Sequence, residues 1–146
     1  MGMIFYKTLK CENCGYEYHG KSGGNIIGFL EGYDISQYYC NTCDCIIDLK
    51  RYHSYWKENI EKYTYPNGAE VSYERNETEE YDDGKYNPEK STQKLLSGLN
   101  NTPPFCQKCG SHLFRISVPD GEKAYCPICG HKSLKVEDLH LAACVD

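Results

Sequence analysis

The sequence predicts a small, metal-stapled α+β fold: two cysteine-clipped β-hairpins joined by a segment with short helices. Three observations lead there. Eight of the ten cysteines fall into four Cys-x-x-Cys pairs: Cys11/Cys14, Cys40/Cys43, Cys106/Cys109 and Cys126/Cys129. The hydrophobic fraction of 40% includes those 10 cysteines and 14 tyrosines, so little aliphatic material remains for a core. Polar chains of this kind rely on staples. The third observation is the middle of the chain, residues 53–101, which has no cysteine and a different, acidic and tyrosine-rich composition.

The cysteine pairs have metal-ligand spacing. Two residues between cysteines turn the backbone tightly enough for both sulfurs to face one ion at about 2.3 Å. The gaps between pairs are 25 residues for the first two and 16 for the last two. Such gaps accommodate a hairpin, so consecutive pairs are expected to close one site each. The expected ligands are Cys11, Cys14, Cys40 and Cys43 for one ion, and Cys106, Cys109, Cys126 and Cys129 for the other. Gly15, Gly110 and Gly130 each follow a second cysteine, where a tight turn favours positive φ. The expected cofactor is two structural Zn2+ ions. The two units, residues 1–52 and 102–146, are then zinc ribbons, and 53–101 is the linker. Each ribbon should fold by itself, so that loss of Cys126 should unfold only the C-terminal one.

Each element has its own signals. Lys10-Cys11-Glu12-Asn13-Cys14-Gly15-Tyr16 is a knuckle, and the stretches Ser22-Gly23-Gly24-Asn25 and Gly28 to Gly32 suggest a flexible excursion on its hairpin. Cys40-Asn41-Thr42-Cys43 forms the second knuckle but is followed by Asp44 in place of glycine. In the C-terminal unit, His112 to Val118 and Lys123 to Tyr125 read as the two strands of a hairpin turned at Pro119-Asp120-Gly121. In the linker, Trp56, Ile60 and Tyr63 have helical spacing, predicting a short helix over 53–63. Asn87-Pro88 is a helix start, with Gly98 as its stop. Residues 74–85 hold five acidic side chains between Glu77 and Asp83 and read as a solvated loop.

Two cysteines lie outside the pairs. Cys45 is placed either to replace Cys43 as a ligand or to point inward from a strand. Cys144 follows His140 at a spacing of four, either half of a third metal site or a small buried apolar residue.

The stretch from Tyr6 to Tyr18 resembles the first knuckle of rubredoxins, down to the tyrosine after the glycine. The second pair departs from that pattern, lacking its proline and its glycine. The layout of two ribbons and a linker is similar to the twin-ribbon small subunit of nuclear RNA polymerase. The acidic hairpin motif of that family is not reproduced at Asp120-Gly121-Glu122. The first resemblance would imply iron and electron transfer, the second a transcription-associated role.

Charge narrows the functions. The net charge is -5, and the acidity is concentrated in residues 53–101, with ten acidic and six basic groups. Residues 102–146 carry five of each. Phosphate-gripping proteins usually show a basic face. Here it would have to come from Lys108, Arg115, Lys123, Lys132 and Lys135. Sites with four thiolate ligands are closed, whereas a catalytic zinc keeps an open position. No phosphate loop, nucleophile triad or HExxH motif occurs in the sequence. The expectation is therefore a non-catalytic protein-interaction module, with a nucleic-acid-binding ribbon protein as the alternative. No apolar run is long enough to span a membrane, and Met1 to Lys10 lacks the apolar core of a secretory signal. The expected compartment is the cytoplasm, where thiols stay reduced.

Overall fold

The computed structural model describes residues 2–28, 31–54, 60–74, 86–88, 104–118 and 121–145. They form nine strands of one antiparallel sheet: β1 (Gly2–Cys11), β2 (Glu17–Gly28), β3 (Glu31–Cys40), β4 (Cys45–Ser54), β5 (Ile60–Thr64), β6 (Glu70–Glu74), β7 (Leu113–Ile116), β8 (Ala124–Tyr125) and β9 (Lys132–Val145). The order across the sheet is β6-β5-β4-β3-β2-β1-β9-β8, with β7 paired to β3 off this path. No helix occurs among the described residues. The α+β expectation gives way to a β fold.

The expected helix over 53–63 is not formed at its ends. His53 and Ser54 close β4, and Ile60 to Tyr63 lie in β5; residues 55–59 fall outside the described residues. β5 pairs with β4 from Lys50↔Thr64 to Ser54↔Ile60, making these residues a hairpin. The second helix after Pro88 and most of the acidic loop also fall outside the described residues.

The two ends of the chain share the sheet. β1 pairs along its whole length with β9, from Gly2↔Val145 to Cys11↔Leu134. The hairpin expected within residues 112–125 does not form: β7 pairs with β3, and β8 pairs with β9. The segments 1–52 and 102–146 therefore interleave instead of closing separately.

One local event explains how. β2 pairs with β3 only through its second half, Gly23↔Ile35 to Gly28↔Glu31. Below that point β2 leaves, and β7 takes the vacated edge of β3 from Gln37↔Ile116 to Cys40↔Leu113. The split is held open by one carboxylate. Asp48 of β4 accepts hydrogen bonds from the Tyr18 hydroxyl (2.9 Å), the Lys21 backbone N–H (2.9 Å) and the buried Gln37 amide (2.9 Å). Gln37 also donates to the Lys21 carbonyl at 2.6 Å. Gly20 lets β2 pass this close, because a Cβ there would meet Asp48 Oδ1 at 2.4 Å. Ser22 to Asn25, read as part of a flexible excursion, is thus strand.

Two apolar clusters result, one beside each pair of knuckles. The first contains Leu9, Tyr39, Ile116, Val118, Ala124 and Leu134; the second contains Tyr38, Leu49, Tyr63, Tyr65 and Leu113. Leu9, Leu49, Leu113 and Leu134 are at most 2% exposed, each contributing about 1.5–3 kcal/mol. With so few such residues, the cysteines that complete both clusters matter structurally.

Candidate metal centres

Each Cys-x-x-Cys pair sits in a turn of the same construction. The residue after the second cysteine donates its N–H to the carbonyl of the first: Gly15 to Cys11 (3.0 Å), Asp44 to Cys40 (2.9 Å), Gly110 to Cys106 (2.8 Å) and Gly130 to Cys126 (2.8 Å). All four turn with positive φ, 78°, 54°, 76° and 77°. Asp44 therefore occupies a glycine position. The next residue closes the knuckle by pairing with the first cysteine: Tyr16, Ser111 and His131 accept from its N–H, and Cys45 lies opposite Cys40 in the β3–β4 ladder. This settles the role of Cys45. It is the closing residue of the second knuckle, and Cys43 is the one that joins the tetrad.

All eight cysteines of the four pairs are brought together in two groups of four, but not in the expected grouping. Cys11 and Cys14 meet Cys126 and Cys129; Cys40 and Cys43 meet Cys106 and Cys109. The first pair joins the fourth and the second joins the third, in a nested order. The cause is the split described above. β7 enters between the first and second knuckles, delivering the third knuckle to the second, while β9 carries the fourth knuckle back to β1.

The geometry fits a tetrahedral ion. Sulfur separations across the paired knuckles include 3.6 Å for Cys11–Cys129 and 3.7 Å for Cys14–Cys126 in the first group. In the second they include 3.5 Å for Cys40–Cys109 and 3.8 Å for Cys43–Cys106. Within each group all four sulfurs lie within 4.8 Å of one another. A tetrahedron with metal–sulfur bonds of about 2.3 Å has edges of about 3.8 Å. These separations are far beyond the roughly 2.05 Å of a disulfide, and all ten cysteines are free. Each tetrad could hold one metal ion.

Second-layer contacts stitch the paired knuckles together. In the first centre Ser133 Oγ lies 3.0 Å from Cys11 Sγ, and the Asn13 amide is 3.1 Å from His131 Nδ1. Glu12 forms ion pairs with Lys123 and, at 3.2 Å, with Lys135. In the second, Thr42 and Ser111 hydroxyls are 2.8 Å apart. The backbone amides of Cys14 and Cys43 point at the sulfurs of Cys11 and Cys40 at 3.4 and 3.3 Å. Such donors offset the charge of four thiolates around one divalent ion.

As thiols without a cation, the members of each tetrad are unequal. The backbone N–H of His131 draws Cys129 down to about 5, and the Ser111 hydroxyl draws Cys109 down to about 6. Burial pushes Cys126 up to about 12 and Cys40 far above the usual thiol range. Metal binding requires all four of these thiols in each site to lose their protons.

Among the described residues, His140 and Cys144 belong to no third centre. Both lie on β9, a strand, where four residues span about 13 Å. Cys144 is exposed, not buried, and His140 Nδ1 contacts Asp138 Oδ2 at 2.9 Å. Of the cations expected to grip phosphates, Lys123 and Lys135 are both engaged with Glu12. Sequence reasoning did not single out Asn13, Thr42, Ser111, His131 or Ser133. The knuckle register supplies a signal for two of them, since Ser111 and His131 share one offset from the first cysteine of their pair.

Comparison with protein-family models, curated proteins and solved structures finds no match for the chain. No described helix is long and apolar enough to cross a membrane.

Proposed function

We propose that this chain is a non-catalytic zinc protein whose two ions are structural and whose surface recruits another protein. The observation that carries this reading is the closure of both tetrads. Four thiolates would complete the coordination sphere of an ion in each group, leaving no position for water or substrate. Soft tetrahedral thiolate sites select zinc or iron; zinc is the reading adopted, and colourless purified protein with two equivalents of zinc is the expected result. Iron in its place, with visible absorbance, would move the reading to electron transfer. The role as an interaction module is tested by co-purifying the tagged full chain. A stoichiometric protein retained at high salt is the expected result.

One observation favours a second reading. On the β3–β4–β5 face, the cross-strand pair Tyr33 and Tyr52 is interleaved with lysines, Lys50 over Tyr33 at 4.1 Å and Lys62 over Tyr52 at 5.3 Å. Aromatic rings among lysines suit stacked bases and phosphates. If single-stranded nucleic acid is the partner, affinity should fall by about 0.7 log unit per log unit of salt for each phosphate engaged. It should also be lost when Tyr33 and Tyr52 are replaced by alanine. Tight, steeply salt-dependent binding of that kind would displace the protein-interaction reading.

A further inference from the structure

The sheet has two edges, and they are built differently. β6 is five residues long and carries a glutamate at each end. Short, charged edges resist pairing with other chains. β9 runs for 14 residues, yet β8 covers its outer side only at Lys132 to Leu134. Beyond Leu134 no described strand lies on that side. The exposed length from Val136 to Val145 contains no lysine, arginine or proline.

The side chains along this edge are unusual for solvent. Leu139 and Leu141 are 46% and 51% exposed, and Met3 on the neighbouring strand is 50% exposed. Leu139 pairs with Lys7, Leu141 with Phe5 and Cys144 with Met3, which places the two leucines and Met3 on one face. Asp138 and His140 alternate with them on the opposite face, opposite Thr8 and Tyr6. The two register shifts of β9 flank Asp138 to Leu141, so this stretch is the regular part of the edge.

We propose that the outer edge of β9 pairs antiparallel with β9 of a second copy, making a two-fold dimer with a sheet continuous across both chains. A two-fold axis perpendicular to the sheet keeps faces matched, so residues opposite one another share parity. With Leu139 on the axis, Leu139 meets Leu139 of the second copy on the apolar face. On the other face Asp138 meets His140 of the second copy, and the reciprocal contact repeats it. A carboxylate facing an imidazole, which can donate to it, and an aliphatic pair directly across strands both favour pairing. Glu137, which would oppose Leu141, is carried out of register by its bulge. This self-complementarity distinguishes a second copy from an arbitrary strand. The inference stands on β9 alone and holds whichever partner the proposed function finds.

The test uses the purified, zinc-loaded full chain in sedimentation equilibrium from about 1 to 100 µM, a range that brackets weak and moderate dimers. A monomer–dimer equilibrium is expected. Leu139→Lys, which sets two ammonium groups against each other at the axis, should weaken it at least about tenfold, with zinc content and circular dichroism unchanged. In a Cys144→Ser background, Leu139→Cys should oxidise to a covalent dimer. This second variant keeps the surface apolar and covers the case in which the lysine variant fails to fold. A monomer across the whole range, a dimer insensitive to Leu139→Lys, or a position-139 cysteine that does not cross-link would each overturn the proposal.

Discussion

Asp44 carries two obligations that no other knuckle residue combines. Its φ of 54° is a conformation that disfavours a Cβ by about 1–2 kcal/mol, although aspartate tolerates it better than most. Its carboxylate also accepts the hydroxyl of the buried Tyr39 at 2.5 Å. Burial first, and Asp44 second, hold the Tyr39 phenol protonated well above its ordinary range. Asp44→Ala keeps the strain and abandons the hydroxyl, so it should destabilise by about 2–3 kcal/mol. Asp44→Gly relieves the strain and should lose only about 1 kcal/mol by the same reckoning. Adding Tyr39→Phe to the alanine variant should recover part of the loss. Denaturant titration of the four proteins measures the order; an alanine variant as stable as the glycine one would refute it. At this scale much is legible in the sequence: the eight cysteines at ligand spacing are the eight that gather in two groups of four, and three glycines mark the turns. Asp44 was noticed only as a missing glycine, because a side chain that tolerates positive φ does not advertise that it adopts it.

At the scale of elements, β2 is the piece that decides the fold. Its lower half is held to β4 through Asp48 and not through a ladder with β3. Gly20→Ala forces a Cβ into a carboxylate already fixed by three donors, and should destabilise by about 1–3 kcal/mol, as overpacked sites do. Asp48→Ala leaves the Gln37 amide and the Tyr18 hydroxyl without that acceptor and should be worse, about 2–4 kcal/mol. Because the two residues share one contact, the double variant should fall short of the sum. Additive losses in a double-mutant cycle would show that the contact does not hold the split. The sequence did not disclose this element, since a Gly-rich strand reads as a loop. β5 hid itself in a different way. Glu61 and Tyr63 are its buried side, continued by the buried Tyr65 just past the strand, and Glu61 is 1% exposed. With a carboxylate in the apolar series, the alternation vanished and the helical spacing of Trp56, Ile60 and Tyr63 took its place.

For the whole molecule, the nested order of the centres makes the ends of the chain interdependent. Spacing alone could not reveal this, because four Cys-x-x-Cys pairs can combine in three ways and loop lengths favour neighbours. What selects the nested way is long-range pairing of β1 with β9 and of β3 with β7. Two consequences separate it from a pair of independent ribbons. A fragment spanning 102–146 holds one knuckle of each centre, so it should neither bind zinc with native affinity nor show dispersed amide resonances. The same holds for 1–52. Mixing the two fragments with two equivalents of zinc should restore dispersion, since together they contain all eight ligands. In the full chain, Cys126→Ser should abolish the first centre and release β1 and β2 along with β8 and β9, while Cys40 to Cys109 still close the second. Metal binding at such a site is worth roughly 10–16 kcal/mol, more than a small domain's whole stability, so the loss should be cooperative. Hydrogen exchange would then show protection lost at Leu9 and Leu134 together and kept at Leu49 and Leu113. Protection retained at Leu9 in that variant would mean that the N-terminal knuckle is closed by some other partner than Cys126 and Cys129.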